Sequence, residues 1–291
     1  KYGGTSVGDL EKIQGVADRI ATYIERGDSV VAVASAMSGE TNKLVALGNE
    51  ISNGKPDARE MDSLTASGEQ VSTALLAMAL KKIGVDAVSL LGDQIQIQTD
   101  SMHGKARIEN IEMDRLLEII DSGAVPVIAG FQGVDRFNNI TTLGRGGSDT
   151  SAVAVAAAIK ADECQIYTDV DGVYTTDPRV YDKAKKIDKL CFEEMLELSG
   201  LGAKVLQIRS VEFASKFNMP IRVLSSFEPG GGTLIDNEDE NLENALISGV
   251  THTKNDSKLI IRKVPDLHVP MHSKQMALPF LGDELQATTL K

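Results

Sequence analysis

Apolar positions along this chain switch between two spacings. Behind Asp9, a good helix N-cap, Ile13, Val16, Ala17, Ile20 and Ile24 recur every three or four residues. That spacing predicts an amphipathic helix, which Gly27 ends. The next apolar run, SVVAVASA (Ser29–Ala36), is short, continuous and rich in β-branched residues, as a strand buried on both faces would be. MSGETN then reads as a loop, and a helix follows through Leu44 and Leu47. A polar insert, SNGKPDARE, leads to an apolar helix around Val71–Leu80. VDAVSLL (Val85–Leu91), VPVIAGF (Val125–Phe131), ECQIYTD (Glu163–Asp169) and PIRVLSS (Pro220–Ser226) predict further strands. The Ala-rich run AVAVAAAI (Ala152–Ile159) supplies a helix before the third of these.

Strand and helix in steady alternation, with strands of the fully buried type, predict an α/β fold with a mainly parallel sheet. Its crossovers should be right-handed, and its ligands should sit at the carboxyl ends of the strands. No repeat at solenoid spacing is present. The pattern changes at EPGGGTLIDNEDENLENALISGV (Glu228–Val250), where a glycine run gives way to acidic residues. A domain of residues 1–241 is expected, with Asp236–Glu243 as solvated linker. SKLIIRKV (Ser257–Val264) would form one or two strands of a second unit.

Composition narrows the partners. The 291 residues carry 42 acidic against 30 basic side chains, a net charge of −12. That argues against nucleic acid or an anionic membrane as the main partner, yet leaves room for an anionic small ligand held by a few local cations. Cys164 and Cys191 are the only cysteines, which gives no disulfide framework or metal pair and fits a reducing cytoplasm. No apolar run approaches the ~20 residues of a membrane-spanning helix. The chain opens on KYGGTSVG without an initiator Met, so further residues are expected upstream of Lys1.

Three glycine-bearing loops hold the candidate chemistry: KYGGTS (Lys1–Ser6), TLGRGGSD (Thr142–Asp149) and DVDGVYTTDPR (Asp169–Arg179). A glycine-rich loop feeding a helix N-terminus presents free backbone N–H groups and the positive end of the helix dipole, a setting for phosphate or carboxylate. Ser148 and Asp149 fall near such an N-cap, and Lys1 beside Gly3 and Gly4 offers a mobile cation. A lone Gly-Gly is usually only a tight turn; three such loops at strand ends shift the balance toward anion binding. G-x-x-x-x-G-K-[ST] and G-x-G-x-x-G are both absent. His103, His252, His268 and His272 lack zinc spacing and read as surface or packing residues. Glu69, in ASGEQVS, reads by itself as a solvated helix residue.

KYGGTSVG, SAMSGETN, TTLGRGGSD, YTDVDGVYTTDPR and GAKVLQIRSVEFA, in this order, resemble the aspartokinases of the amino acid kinase family. The likeness runs from Lys1 to about Val264. It implies a three-layer α/β/α sandwich that binds ATP, Mg²⁺ and L-aspartate over the strand ends and phosphorylates the aspartate side chain, at the entry to lysine, threonine and methionine synthesis. By the same resemblance Lys1 neutralises the transferred phosphoryl, Gly3 and Gly4 let the backbone approach it, and Asp149 orients Lys1. Arg145 grips a substrate carboxylate and Glu69 receives the ammonium. Ser35, Thr41, Phe131 and Ser148 line the same pocket. Thr168, Asp169, Tyr174, Arg179 and Lys204 match nucleotide contacts.

ISGVTHTKNDSKLIIRKVPD (Ile247–Asp266) resembles the opening of an ACT-type regulatory module, so residues 242–291 are expected to be linker and partial module. The likeness fails after Asp266. The resemblance implies a homo-oligomer inhibited by lysine or threonine. Two alternatives stay open: a relative acting on glutamate, acetylglutamate or a nucleoside monophosphate, and a non-catalytic amino acid sensor.

Overall fold

The computed structural model describes residues 1–201, 205–238 and 249–251. Lys1–Thr251 is one compact unit. The expected regulatory segment, apart from Gly249–Thr251, and the candidate Lys204 lie outside the described residues. Val250 N–H donates to the Thr175 carbonyl at 2.7 Å, so the chain touches this unit again beyond the acidic run.

The main sheet is built from β1 (Ala32–Ala34), β2 (Ala87–Leu90), β5 (Val125–Ala129), β8 (Cys164–Thr168), β11 (Lys189–Cys191), β12 (Ile221–Ser225) and β13 (Thr233–Asp236). β1, β5 and β2 pair in parallel on one side, and β8 and β12 in parallel on the other. β13 runs antiparallel to β12, and β11 parallel to β13. Tyr2 joins the halves. It bridges Ala34 and Tyr167 in parallel, with Tyr2 N–H on Val33 O at 2.8 Å and Gly3 N–H on Tyr167 O at 3.0 Å. The first residues thus form the middle of the sheet, and Gly3 and Gly4 emerge at its carboxyl edge.

Alternation along each strand divides the core in two. Ala32, Ala87, Val125, Val127, Tyr167 and Leu224 face one layer, with Ile13, Ile20, Leu76 and Leu80 of α1 (Leu10–Glu25) and α3 (Ala58–Lys82). Val33, Leu90, Ile128, Ile166, Ile221 and Val223 face the other. There they meet α4 (Asp114–Asp121), α5 (Gly147–Ile159), α6 (Phe192–Gly200) and α7 (Ile208–Phe217). Both sheet faces are covered, which gives the three-layer α/β/α sandwich and explains why these strands read as continuous apolar runs.

α2 (Glu40–Ile51) begins inside the expected MSGETN loop. The polar insert is shorter than its composition implied, because Asp57 caps α3 through Arg59 N–H and Glu60 N–H. α3 then runs for 25 residues, its first half burying Asp62, Thr65, Gly68 and Glu69 rather than an apolar stripe. A smaller sheet, in the order β4 (Ile108–Ile111), β3 (Ile97–Thr99), β6 (Gln132–Val134), β7 (Ile140–Thr142), leads from the end of β5 to the loop before α5. The β9 (Val173–Tyr174) and β10 (Lys186–Ile187) hairpin extends the third glycine-bearing loop.

Candidate active site

The carboxyl ends of β1, β5 and β8, together with Gly3–Gly4, converge on the start of α5. The convergence depends on absent side chains. A Cβ on Gly130, just after β5, would lie 2.9 Å from the Ser148 Cβ, and one on Gly4 would lie 2.9 Å from the Ala36 carbonyl. Phe131 takes the left-handed backbone (φ 70°), unusual for a bulky residue. Its N–H donates to Ser151 Oγ at 3.0 Å, and its carbonyl accepts from Leu143 N–H at 2.8 Å. A strained turn is thus fixed on both sides, and the strain lies beside the helix mouth, where functional sites often hold it.

At that mouth Lys1 Nζ lies 2.6 Å from Asp149 Oδ1, with both side chains about nine-tenths buried. Gly3 borders the lysine, since a Cβ there would sit 3.5 Å from Nζ. Gly146 (φ 67°) caps α5 without a side-chain bond, so the first-turn amides of that helix are not covered by a cap side chain. A buried cation, a helix dipole and close backbone approach meet here.

Glu69 corrects the solvated reading: it is buried, 3% exposed. Oε1 accepts from Ala36 N–H at 3.1 Å, while Oε2 is buried and has no partner among the described residues. Burial pushes its pKa up to about 7 against the opposing hydrogen bond from Ala36. A buried carboxylate oxygen with no donor suits a cationic ligand group.

Ser35 follows β1, half-buried, its N–H on Tyr2 O and its carbonyl accepting from Ser72 Oγ at 2.7 Å. Thr41 is half-buried in the first turn of α2, Ser148 is buried in α5, and Arg145 is exposed in the loop before it. On the other side Thr168 ends β8 and donates to Asp169 Oδ1 at 3.1 Å. The Tyr174 hydroxyl donates to Asp171 at 3.0 Å. Arg179 is exposed and bound to Asp177 through Nε and Nη2 at 3.0 and 2.9 Å. The structure therefore gathers Lys1, Gly3, Gly4, Ser148 and Asp149 tightly and brings Glu69 to the β1 end through Ala36. It leaves Arg179 tied within its own loop.

Sequence reasoning passed over two contributors, Asp62 and Arg209. Asp62 is 1% exposed and binds Gly104 and Thr142; His103 Nδ1 lies 2.9 Å from it, a packing role; Arg209 donates to the Leu143 and Ala106 carbonyls. The signal for Asp62 was its place seven residues before Glu69 in one helix. Arg209 left none.

A mainly parallel α/β sandwich with a buried Lys1–Asp149 pair at a glycine-lined helix mouth is a setting built for an anionic small ligand. The amino acid kinase family model matches residues 1–225, and the chain belongs to that family. It is 59% identical over 268 residues to an aspartokinase of Pseudomonas aeruginosa, covering 91% of this chain and 65% of that one. It is 48% identical over 269 residues to an aspartokinase of Corynebacterium glutamicum, with 91% and 64% coverage. The chain thus spans just under two thirds of these relatives' length. Escherichia coli aspartokinase III in complex with aspartate and ADP superposes with a TM-score of 0.73 at 31% identity, over 82% of this chain and 64% of that one. A UMP kinase from Bacillus anthracis shares the fold alone, with a TM-score of 0.60 at 18% identity.

Proposed function

We propose that this chain carries the catalytic unit of an aspartate kinase, transferring the γ-phosphoryl group of ATP to the side-chain carboxylate of L-aspartate. The observation that carries the reading is the Lys1–Asp149 pair at 2.6 Å, held beside Gly3 where α5 begins. The nearly full-chain likeness to aspartokinases, and the aspartate and ADP held by the Escherichia coli enzyme, support it.

The substrate carboxylate is already a nucleophile, so the site needs no strong base. One carboxylate oxygen forms the new P–O bond as the bond from phosphorus to the bridging oxygen breaks and ADP departs. The barrier is repulsion between anions and charge spreading over the moving phosphoryl group. Preset positive charge lowers it. Lys1 supplies that charge beside the first-turn amides of α5, and Asp149 fixes the direction of the ammonium. Gly3 and Gly4 let amides approach the phosphate oxygens. Glu69 Oε2 takes the substrate ammonium, and Arg145 takes a carboxylate, with Ser35, Thr41, Phe131 and Ser148 around them. Thr168, Asp169, Tyr174, Arg179 and Lys204 serve the nucleotide.

Among the described residues no group of three or more His, Cys, Asp or Glu forms a metal cage. Mg²⁺ would be carried by ATP phosphates and water, where it neutralises phosphate charge. In the longer protein the modules after this unit would make a homo-oligomer answer to lysine or threonine; the lysine-bound T-state of the Escherichia coli enzyme supports that view. Among the described residues no helix is long and apolar enough to cross a membrane.

A coupled assay of ADP release against aspartate, glutamate, N-acetylglutamate and UMP tests the reading. Turnover confined to aspartate is expected; preference for another acceptor, or binding without turnover, overturns it.

A further inference from the structure

α3 carries two buried carboxylates, Asp62 and Glu69, on one stripe. Seven residues are two helical turns, about 10 Å of rise. They are treated in opposite ways. Glu69 keeps one oxygen without a partner. Asp62 is saturated: Gly104 N–H donates to both oxygens at 2.9 and 3.0 Å, Thr142 N–H donates at 3.0 Å, the Thr142 hydroxyl donates as well, and His103 Nδ1 lies at 2.9 Å. Burying a charge this deeply is costly unless donors surround it, and here the donors come from two other segments.

Both segments border the loop that carries Arg145. Ala106 N–H donates to the Thr142 carbonyl at 2.9 Å. Gly104 O lies 3.0 Å from where a Cβ on Gly144 would stand. Arg209 grips the far side, donating to Leu143 O and to Ala106 O, the latter at 3.0 Å. Arg145 follows Gly144 directly, and among the described residues no side chain holds it. Its position therefore comes from the backbone before it, and that backbone hangs on Asp62.

We propose that Asp62 is a specificity-determining positioning residue. From the helix that presents Glu69, it fixes through Gly104 and Thr142 the loop that presents Arg145. One rigid helix then fixes where the substrate ammonium and carboxylate are held relative to the phosphoryl site at Lys1, and so which side-chain length reaches it. The inference rests on the aspartate kinase reading above. Aspartate and glutamate differ by one methylene, and a difference of that size supports discrimination of roughly 10–200-fold only when the pocket is held rigidly. Loosening Asp62 should blur that choice rather than stop turnover.

The test measures kcat and KM for aspartate and glutamate, and KM for ATP, in the parent protein, Asp62→Asn, Thr142→Val and Thr142→Ser. Hydrogen exchange of residues 142–150 accompanies it. Asp62→Asn should raise aspartate KM about 10-fold and cut the aspartate-to-glutamate preference by a similar factor. ATP KM should hold, and exchange should quicken in the loop but not around Glu69. Thr142→Val should move the same quantities less, and Thr142→Ser should restore them. An unchanged preference with a lower Tm would make Asp62 a fold staple and overturn the proposal. If Asp62→Asn does not fold, Thr142→Val decides: parental preference overturns it. If the parent does not phosphorylate aspartate, the functional reading fails, and the exchange data alone decide whether Asp62 holds the loop.

Discussion

On the amino acid side of the site, partners are drawn from far along the chain. Glu69 meets Ala36, Phe131 meets Ser151, Thr142 meets Asp62, and Lys1 meets Asp149. On the nucleotide side they are close in sequence: Thr168 with Asp169, Tyr174 with Asp171, Arg179 with Asp177. The first group is mostly buried, while Asp169 and Arg179 are exposed. Long-range buried contacts are preset by folding and cost nothing further when substrate arrives. Local exposed ones must be exchanged for ligand contacts. On the function proposed above, the amino acid subsite would serve discrimination and the nucleotide loop adjustment, as expected when two substrates differ in size and in how finely each must be told from its analogues.

The sharpest way to break this contrast is at the Lys1–Asp149 pair of the preset side. Lys1→Ala and Asp149→Ala should each lower kcat by a factor on the order of 10² or more, with a smaller change in aspartate KM. Steady-state kinetics checks it; near-parental kcat at either position would remove that residue from the phosphoryl site.

Glu69→Gln comes next and separates binding from stability. Losing the charged partner of the ammonium should cost about 2–5 kcal/mol in aspartate binding while ATP affinity holds. The stability effect has the opposite sign. Glu69 has its pKa raised from 4.5 to about 7 by burial, so between those values the folded state binds the extra proton. Stability from this group is full below pH 4.5 and lost as pH rises through about 7, a loss on the order of 3 kcal/mol. Glu69→Gln should therefore raise the Tm at pH 8 relative to the parent and narrow the gap at pH 5. Thermal melts at both pH values test this; a gap independent of pH would show that Glu69 is ionised throughout.

Gly130→Ala tests how rigid the preset side is. Its Cβ would stand 2.9 Å from the Ser148 Cβ and 3.1 Å from the Ser148 Cα, contacts on a packed helix rather than a flexible side chain. Overpacking should cost about 1–3 kcal/mol of stability, measurable by urea unfolding. It should also raise aspartate KM more than ATP KM. Equal changes in both would show that the two sides move as one.

The contrast also explains what the sequence revealed. Most parallel strands of the main sheet announced themselves, because a strand covered on both faces is largely apolar; Val125–Ala129 and Cys164–Thr168 lie inside the expected runs, while Lys189–Cys191 was not read. The short strands of the smaller sheet did not, since three or four residues, as in Gln132–Val134 or Ile108–Ile111, carry little period. The first half of α3 was hidden because its buried positions are Asp62, Thr65, Gly68 and Glu69, polar or small residues whose carboxylates find their partners, Thr142 and Ala36 among them, only in three dimensions. The glycine loops were visible as loops, but local chemistry alone could not tell a site from a turn. Their joint resemblance to a family supplied that, and it named Glu69 where hydropathy gave the wrong sign. Arg209 was beyond reach, since its partner lies 66 residues away, and Asp62, whose partner lies 80 residues away, showed only its place seven residues before Glu69.

The smallest effect expected is at Arg179, and its sign is informative. The guanidinium is 84% exposed and pairs with Asp177, which raises its pKa above the usual arginine value. A solvated pair of this kind contributes little to folding, so Arg179→Ala should leave the Tm unchanged. If Arg179 turns to the nucleotide on binding, it must first leave Asp177. Removing the arginine should then raise ATP KM a few-fold. Weakening the competing carboxylate with Asp177→Asn should lower ATP KM or leave it unchanged. Aspartate KM should hold in both variants, because no long-range contact of the preset side is touched. Nucleotide titrations at two ionic strengths check the electrostatic origin, since exposed charges are screened beyond about 8 Å at 0.15 M salt. Equal increases in ATP KM for both variants would show that the Asp177–Arg179 pair acts as one preset unit, and the nucleotide loop would then resemble the amino acid side in kind.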